Sequence, residues 1–95
     1  MVLDKVLYGS QHWPGCAPVK EFLDKNNFEY TYVDITESMK NLKEFLKIRD
    51  THEVYKGIRG RAMVGIPMLK IGDDAIIGLS EERLIQIIEE NKEVE

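Results

Sequence analysis

The chain has 95 residues, 43% of them apolar and 32% charged, and its 13 basic and 17 acidic side chains leave a net charge of −4. This length suits one compact domain, and the apolar share is typical of a globular rather than a disordered protein. The acidic balance argues against nucleic-acid binding, and no apolar run approaches the ~20 residues that a membrane-spanning helix needs.

Cysteine content and the N-terminal segment both argue against a secreted protein. A lone cysteine, Cys16, leaves no internal disulfide framework and no cysteine-rich zinc site. Residues 1–8 are too short and too charged for the apolar region of a secretory signal. We therefore expect one soluble, cytoplasmic domain over residues 1–95, a monomer without a metal ion and without a nucleic-acid or membrane partner.

The chain begins with a predicted strand and helix. Residues 2–8 form a β-branched, apolar run that ends at Gly9, which is typical of a buried strand. Over residues 15–26 apolar side chains recur at three- and four-residue spacing, with charged residues on the other face, which predicts a helix. We expect Asn26 and Asn27 to end that helix.

A second strand and helix follow. Residues 28–35 alternate with period two and place aromatic side chains on one face, which predicts a strand. Either Thr36 or Ser38 can cap the next helix, which we expect to end near Asp50. Residues 51–65 show no clear pattern because glycines interrupt them.

The last third of the chain predicts a β-hairpin and a third helix. Residues 67–71 and 75–79 are apolar runs that flank a tight-turn signal at 72–74. Ser80 then provides an N-cap for a helix with a buried apolar face, and acidic residues in its first turn suit the helix dipole. The charged residues 89–95 are expected to fray.

The predicted element order is therefore β-α-β-α-β-β-α. A crossover through a helix makes the first two strands parallel, whereas the hairpin strands are antiparallel. The predicted fold class is α/β, with a mixed four-stranded sheet flanked by helices on both faces.

The turn from the first strand into the first helix, residues 10–18, contains the residues best suited to bind a ligand or take part in a reaction. Ligands of α/β sheets gather at the carboxyl ends of strands, and helix N-termini favour anions. A thiol in this position has its thiolate form stabilised.

Together with the element order, three short segments resemble the glutaredoxins of the thioredoxin-like superfamily. They are Tyr8-Gly9-Ser10 with Trp13-Pro14-Gly15-Cys16, then Gly65-Ile66-Pro67, and last Gly78-Leu79-Ser80-Glu81-Glu82. The resemblance implies a thioredoxin-like fold and a thiol–disulfide oxidoreductase linked to glutathione or a dithiol. It also implies glutathione as co-substrate, protein disulfides as partners and no bound cofactor.

The family's active site reads Cys-Pro-x-Cys, and this chain departs from it at one position. Pro14 matches the proline, and Cys16 matches the second, resolving cysteine. Trp13 stands at the position of the first cysteine, which is the family's nucleophile. Because an indole has no nucleophilic atom, we expect the chain with Trp13 to be inactive or nearly so.

Three interpretations of Trp13 remain open. The domain is a non-catalytic relative in which Trp13 fills the old site, or Cys16 is itself the nucleophile in a shifted register. In the third interpretation Trp13 stands where the gene encodes selenocysteine, since the codons UGA and UGG differ by one base. Cys16 would then resolve a selenylsulfide.

The resemblance also implies roles for residues outside this turn. Gly15, Gly65 and Ile66 would contact substrate, with Ile66 preceding a cis Pro67 and pairing through its backbone. The helix start at Ser80-Glu81 would hold the γ-glutamyl carboxylate of glutathione.

The cations that could assist glutathione are few. The basic loop 56–61 is either solvated or close to the glycyl carboxylate. The lysine that many glutaredoxins carry before the first cysteine is replaced here by the run Ser10-Gln11-His12.

The leading functional prediction is an oxidoreductase with its native nucleophile at position 13. The alternative is a redox-inactive module that holds an extended peptide in the groove between Trp13 and Pro67.

Overall fold

In the computed structural model, which describes residues 4–91, four strands form one mixed sheet. They are β1 (Lys5–Gly9), β2 (Thr31–Asp34), β3 (Met68–Ile71) and β4 (Asp74–Ile76), in the order β2-β1-β3-β4. β1 runs parallel to β2 and antiparallel to β3, and β3 pairs antiparallel with β4. The predicted α/β class, pairing directions and four-stranded sheet are confirmed.

Three α-helices cover the sheet. They are α1 (Cys16–Lys25), α2 (Met39–Thr51) and α3 (Glu81–Glu90), and a short 3₁₀ helix, Glu53–Tyr55, follows α2. None of the helices in the described part of the chain is long and apolar enough to cross a membrane.

Alternation along β1 creates two cores, because successive side chains of a strand point to opposite faces. Leu7 faces one layer, formed with α1 and α3, whose buried members are Val19, Leu23, Leu69, Ile71, Leu84 and Ile87. Tyr8 faces the other layer, formed with α2 and the 3₁₀ helix, whose buried members are Ile35, Phe45, Tyr55, Met68 and Ala75. The helices therefore lie on both faces, as predicted.

The predicted helix boundaries agree with the structure. Asn26 is the C-cap of α1, and Asn27 adopts a positive φ of 57°. Ser38, rather than Thr36, caps α2 by accepting a hydrogen bond from the Asn41 amide at 3.1 Å. Ser80 caps α3 in the same way.

Two strands are shorter than the sequence predicts. β2 begins at Thr31 rather than at residue 28, because the Phe28 amide still bonds the Leu23 carbonyl at 3.0 Å as the chain leaves α1. β4 ends at Ile76 rather than at residue 79, and the positive φ of 67° at Gly78 then turns the chain toward α3.

The segment without a readable pattern, residues 51–65, is organised by buried contacts. Tyr55 is fully buried beside Phe45, with ring centroids 6.0 Å apart. The Arg59 guanidinium donates to the Arg49 carbonyl at 2.8 Å and to the His52 carbonyl at the end of α2. Arg59 is therefore not a solvated loop cation.

Parts of two predictions fall outside the described residues. The first predicted strand includes Val2 and Leu3, and the predicted frayed tail includes residues 92–95. Within the described range, α3 continues through Glu90, so the expected fraying is wrong for Glu89 and Glu90.

The core assignment predicts unequal costs for the same substitution at two helical leucines. Leu23→Ala removes a fully buried side chain of α1, so we expect the free energy of unfolding to fall by about 2–5 kcal/mol. Leu46→Ala on α2 removes a side chain that is 37% exposed, and we expect a loss below about 1 kcal/mol. Urea denaturation of both variants measures this, and equal losses would contradict the assignment.

Candidate active site

Two consecutive turns carry the chain from β1 into α1. The Trp13 amide donates to the Ser10 carbonyl at 3.1 Å, and the Cys16 amide donates to the Trp13 carbonyl at 3.0 Å. Gly15 is the N-cap residue of α1 and offers no side-chain cap. Position 13 therefore lies between the two turns, where the Trp13 side chain is 45% exposed.

Cys16 lies three residues later and is only 2% exposed. Its Sγ packs onto the backbone of Gly9, where an added Cβ would lie 3.0 Å from the sulfur. Burial raises the pKa of the Cys16 thiol, and the nearby Asp34 carboxylate raises it further, whereas a hydrogen bond from the Ser10 backbone acts against both. The thiol is therefore held in its protonated form at neutral pH, and the expectation of a stabilised thiolate in this turn is wrong for Cys16, because burial and the Asp34 carboxylate disfavour the charged form.

The carboxylate of Asp34 lies at the end of β2, the strand next to β1, and is 7% exposed. Its Oδ1 accepts from the Thr36 amide at 2.8 Å and the Thr36 hydroxyl at 2.6 Å, and its Oδ2 accepts from the Gln11 amide at 3.1 Å. Burial on its own would raise the pKa of Asp34, but these hydrogen bonds outweigh burial and lower it. The carboxylate stays charged and ties β2 to the turn.

A groove of about 480 Å³ lies on the other side of the turn. Trp13 and Gly15 line it from the turn, and Gly65, Ile66 and Pro67 line it from the segment before β3. The Ile66–Pro67 peptide bond is cis, as expected. Clefts that bind ligands have volumes of roughly 300–1,000 Å³, so the groove has room for a substrate.

The wall that contains Pro67 is held by Tyr55. The Tyr55 hydroxyl donates to the Gly65 carbonyl at 2.8 Å. Gly65 has a positive φ of 83°, and a Cβ there would collide with the Tyr55 ring. Arg49 supports the same wall by donating to the Met63 carbonyl at 2.5 Å and the Val64 carbonyl at 3.0 Å.

Cys16 lies apart from the groove. It lines a separate, polar cavity of about 520 Å³ on the side of β2, together with Ser10, Gln11, Ala17, Lys20, Tyr32, Asp34 and Glu37. The two positions of the motif therefore open to different spaces, position 13 to the groove and Cys16 to the polar cavity.

The helix start at Ser80-Glu81 is adjacent to the groove without lining it. The Ser80 hydroxyl accepts from the Arg83 amide at 3.2 Å, and Glu81 lines a small cleft of about 130 Å³ beside Pro18. Leu79, one residue earlier, lines both the groove and this cleft. Of the sequence-predicted site residues, the structure brings Trp13 and Gly15 together with residues 65–67.

Three supporting residues were not found from the sequence. Asp34 follows the rule that functional side chains lie at the carboxyl ends of strands, so a signal for it existed. Tyr55 and Arg49 gave no signal, because their roles depend on contacts with the aperiodic segment after α2. Among residues 4–91, no three His, Cys, Asp or Glu side chains are placed to hold a metal ion.

Comparison with known proteins agrees with this architecture. The glutaredoxin family model matches residues 6–76. An uncharacterized protein of Haemophilus influenzae is 30% identical over 81 residues, which cover 84% of this chain and 94% of that protein. The crystal structure of a glutaredoxin from Archaeoglobus fulgidus superimposes with a TM-score of 0.65 at 24% identity, covering 90% of this chain and 86% of that one, which supports the thioredoxin-like fold.

The raised pKa of Cys16 predicts a pH-dependent contribution to stability. The native state holds the thiol proton more tightly than the unfolded chain, whose cysteine has a pKa of about 8.5. The contribution is therefore complete below that unfolded value and is lost as the pH rises through the folded one. Since Cys16→Ala lacks this titration, its deficit in unfolding free energy should shrink from pH 7 to pH 10.

Urea denaturation of the unaltered chain and Cys16→Ala at both pH values measures this difference. Alkaline losses from Tyr8, Tyr30 and Tyr55 occur in both proteins and cancel, because Cys16 is not among the causes of their raised pKa values. The pKa of Tyr32 is raised partly by Cys16, so the ionisation of Tyr32 is followed separately by absorbance in both proteins. A deficit that grows with pH would mean that the native state favours the thiolate.

Proposed function

The chain belongs to the glutaredoxin family, and from this membership we propose a thiol–disulfide oxidoreductase whose native nucleophile occupies position 13 and whose resolving thiol is Cys16. The family acts on glutathione and protein disulfides. The observation that carries the proposal is the placement of position 13, which lies before α1 and lines the groove opposite Pro67.

Position 13 has the surroundings that a chalcogen nucleophile needs. It is exposed, it faces the space where a substrate disulfide can bind, and it precedes the first turn of α1. The partial positive charge of a helix N-terminus stabilises a thiolate or selenolate there. Cys16 has the opposite properties, since it is buried and its raised pKa keeps it protonated.

These properties support a mechanism of two steps, in which position 13 attacks the substrate and Cys16 then resolves the mixed bond. The anion at position 13 attacks one sulfur of the substrate disulfide, which breaks the S–S bond, forms a mixed bond and releases the other sulfur as a thiol after it gains a proton. Cys16 then loses its proton, attacks the chalcogen at position 13 and releases the second substrate thiol. The substrate gains two electrons and two protons, and positions 13 and 16 become joined.

Trp13 prevents the first of these steps. The indole has no nucleophilic atom, and Cys16 on its own is neither exposed nor ionised. We propose that the chain with Trp13 is inactive and that tryptophan stands where the gene encodes selenocysteine, because UGA and UGG differ by one base. A selenol ionises more readily than a thiol, which suits a nucleophile position.

The proposed reductant is glutathione or a dithiol, used as a co-substrate without a resident cofactor. Either one would reduce the bond between positions 13 and 16 and return both to their starting state. The proposed location is the cytoplasm, where thiols are kept reduced, and the proposed catalytic unit is a monomer.

Restoring a thiol at position 13 should restore turnover. We expect Trp13→Cys to reduce a protein disulfide with dithiothreitol, or a glutathione mixed disulfide with glutathione, at least tenfold faster than the unaltered chain. Trp13→Ser is the matched control, since serine has nearly the size of cysteine and no thiol. The proposal fails if Trp13→Cys is no faster than Trp13→Ser, or if the unaltered chain turns over robustly.

A further inference from the structure

The groove between Trp13 and Pro67 has no charged side chain in its lining. Its remaining walls are aliphatic side chains and small residues, namely Val19, Ile58, Ala62, Met63, Val64, Ile77, Gly78 and Leu79. Apart from Trp13, which the proposed function takes to stand in place of the native residue, two large apolar side chains of the lining are well exposed, Met63 by 52% and Val64 by 37%. Exposed apolar side chains that adjoin one another are typical of a binding surface.

Two arginines that contact the segment around this lining are already used by the fold. The Arg49 guanidinium donates hydrogen bonds to the Met63 and Val64 carbonyls, and the Arg59 guanidinium donates to the Arg49 and His52 carbonyls. Lys56 and Arg61 are exposed in the same loop, but neither lines the groove. The turn adds no cation from lysine, because residues 10–12 are Ser, Gln and His.

This surface is poorly matched to glutathione. That tripeptide carries two carboxylates and one ammonium group, and each loses hydration when it enters a cleft. Burying a charge costs free energy unless a partner of opposite charge or several hydrogen bonds replace the lost water. At the nearest helix start, Glu81 and Glu82 add two further negative charges.

A neutral, extended polypeptide matches the same surface. Its apolar side chains would cover Met63 and Val64, which line the groove whatever residue occupies position 13, and remove their exposed area from water. Its backbone also finds a partner, since the Ile66 amide and carbonyl have no hydrogen-bond partner among residues 4–91. An extended segment can use such groups in the manner of an added strand.

We infer that this groove takes an uncharged, apolar segment of a protein substrate and discriminates against glutathione. The inference rests on the proposed function in one respect, namely that the segment carries the disulfide to be reduced. The inference therefore favours protein disulfides over glutathione mixed disulfides as substrates. It also favours a protein dithiol over glutathione as the reductant.

Trp13 provides a direct probe, because it is the one tryptophan of the chain and it lines the groove. We would titrate the unaltered chain with an octapeptide that alternates Leu or Val with Ser or Thr and has acetylated and amidated ends. Peptide binding should desolvate the indole and shift its fluorescence emission to shorter wavelength, and the shift should saturate as the peptide concentration rises. S-methylglutathione, which has neither a free thiol nor a disulfide to quench the indole, should cause no saturable shift up to about 10 mM.

Matched variants place the signal in the groove. Met63→Glu puts a carboxylate on the groove wall and should weaken peptide binding at least fivefold. Met39→Glu makes the same change at a methionine that is 68% exposed at the start of α2, away from the groove, and should change the affinity less than twofold. A peptide with Glu in place of two Leu residues should bind at least fivefold more weakly than its neutral parent.

Saturable binding of S-methylglutathione at or below the concentration at which the peptide binds would overturn the inference. So would an absent peptide signal, or equal effects of Met63→Glu and Met39→Glu. These outcomes are separate from those for the proposed function, because the titration needs no turnover. An active Trp13→Cys protein that prefers glutathione mixed disulfides would overturn the inference and leave the proposed function intact.

Discussion

The packing of the Cys16 sulfur onto the Gly9 backbone is the contact on which the rest of the site depends. A side chain at position 9 would place its Cβ 3.0 Å from Sγ, so the sulfur would have to move by a few tenths of an ångström, and glycine lets the end of β1 and the start of α1 approach without that shift. With both ends held, the intervening residues form two successive turns. Position 13 is therefore exposed in front of the helix, while position 16 is buried beneath it.

This arrangement separates the chemistry of two residues that are three positions apart. Position 13 opens to an apolar groove, whereas Cys16 opens to a polar cavity that the charged Asp34 also lines. Under the proposed function, a substrate in the groove would meet position 13 first, and Cys16 would stay protonated until the second step. The opposite wall of the groove is held by other residues. The buried Tyr55 bonds the Gly65 carbonyl, and Arg49 bonds the Met63 and Val64 carbonyls.

Most of the fold could be predicted from the sequence because its elements follow simple periodic rules. The helix that starts at Cys16, the hairpin around Gly72 and the capping role of Ser80 all come from local spacing or local hydrogen bonding. The location of the site also followed from a local motif. The support of the groove could not be predicted, because Tyr55 and Arg49 act through carbonyls of an irregular loop, and no periodicity marks such contacts. The split between the groove and the polar cavity likewise depends on the three-dimensional path of the turn.

The family, the fold and the geometry of the turn make the identity of residue 13 the central question for function. The surroundings suit an anionic nucleophile, yet the residue is a tryptophan with nothing to donate to a disulfide. The most direct measurement is the nucleotide sequence of codon 13 in the gene that encodes this chain. A UGA codon followed by a selenocysteine insertion signal is the predicted result and would make the native protein a selenol oxidoreductase. A UGG codon would contradict it, since Trp13 would then be genuine and the groove would serve binding alone.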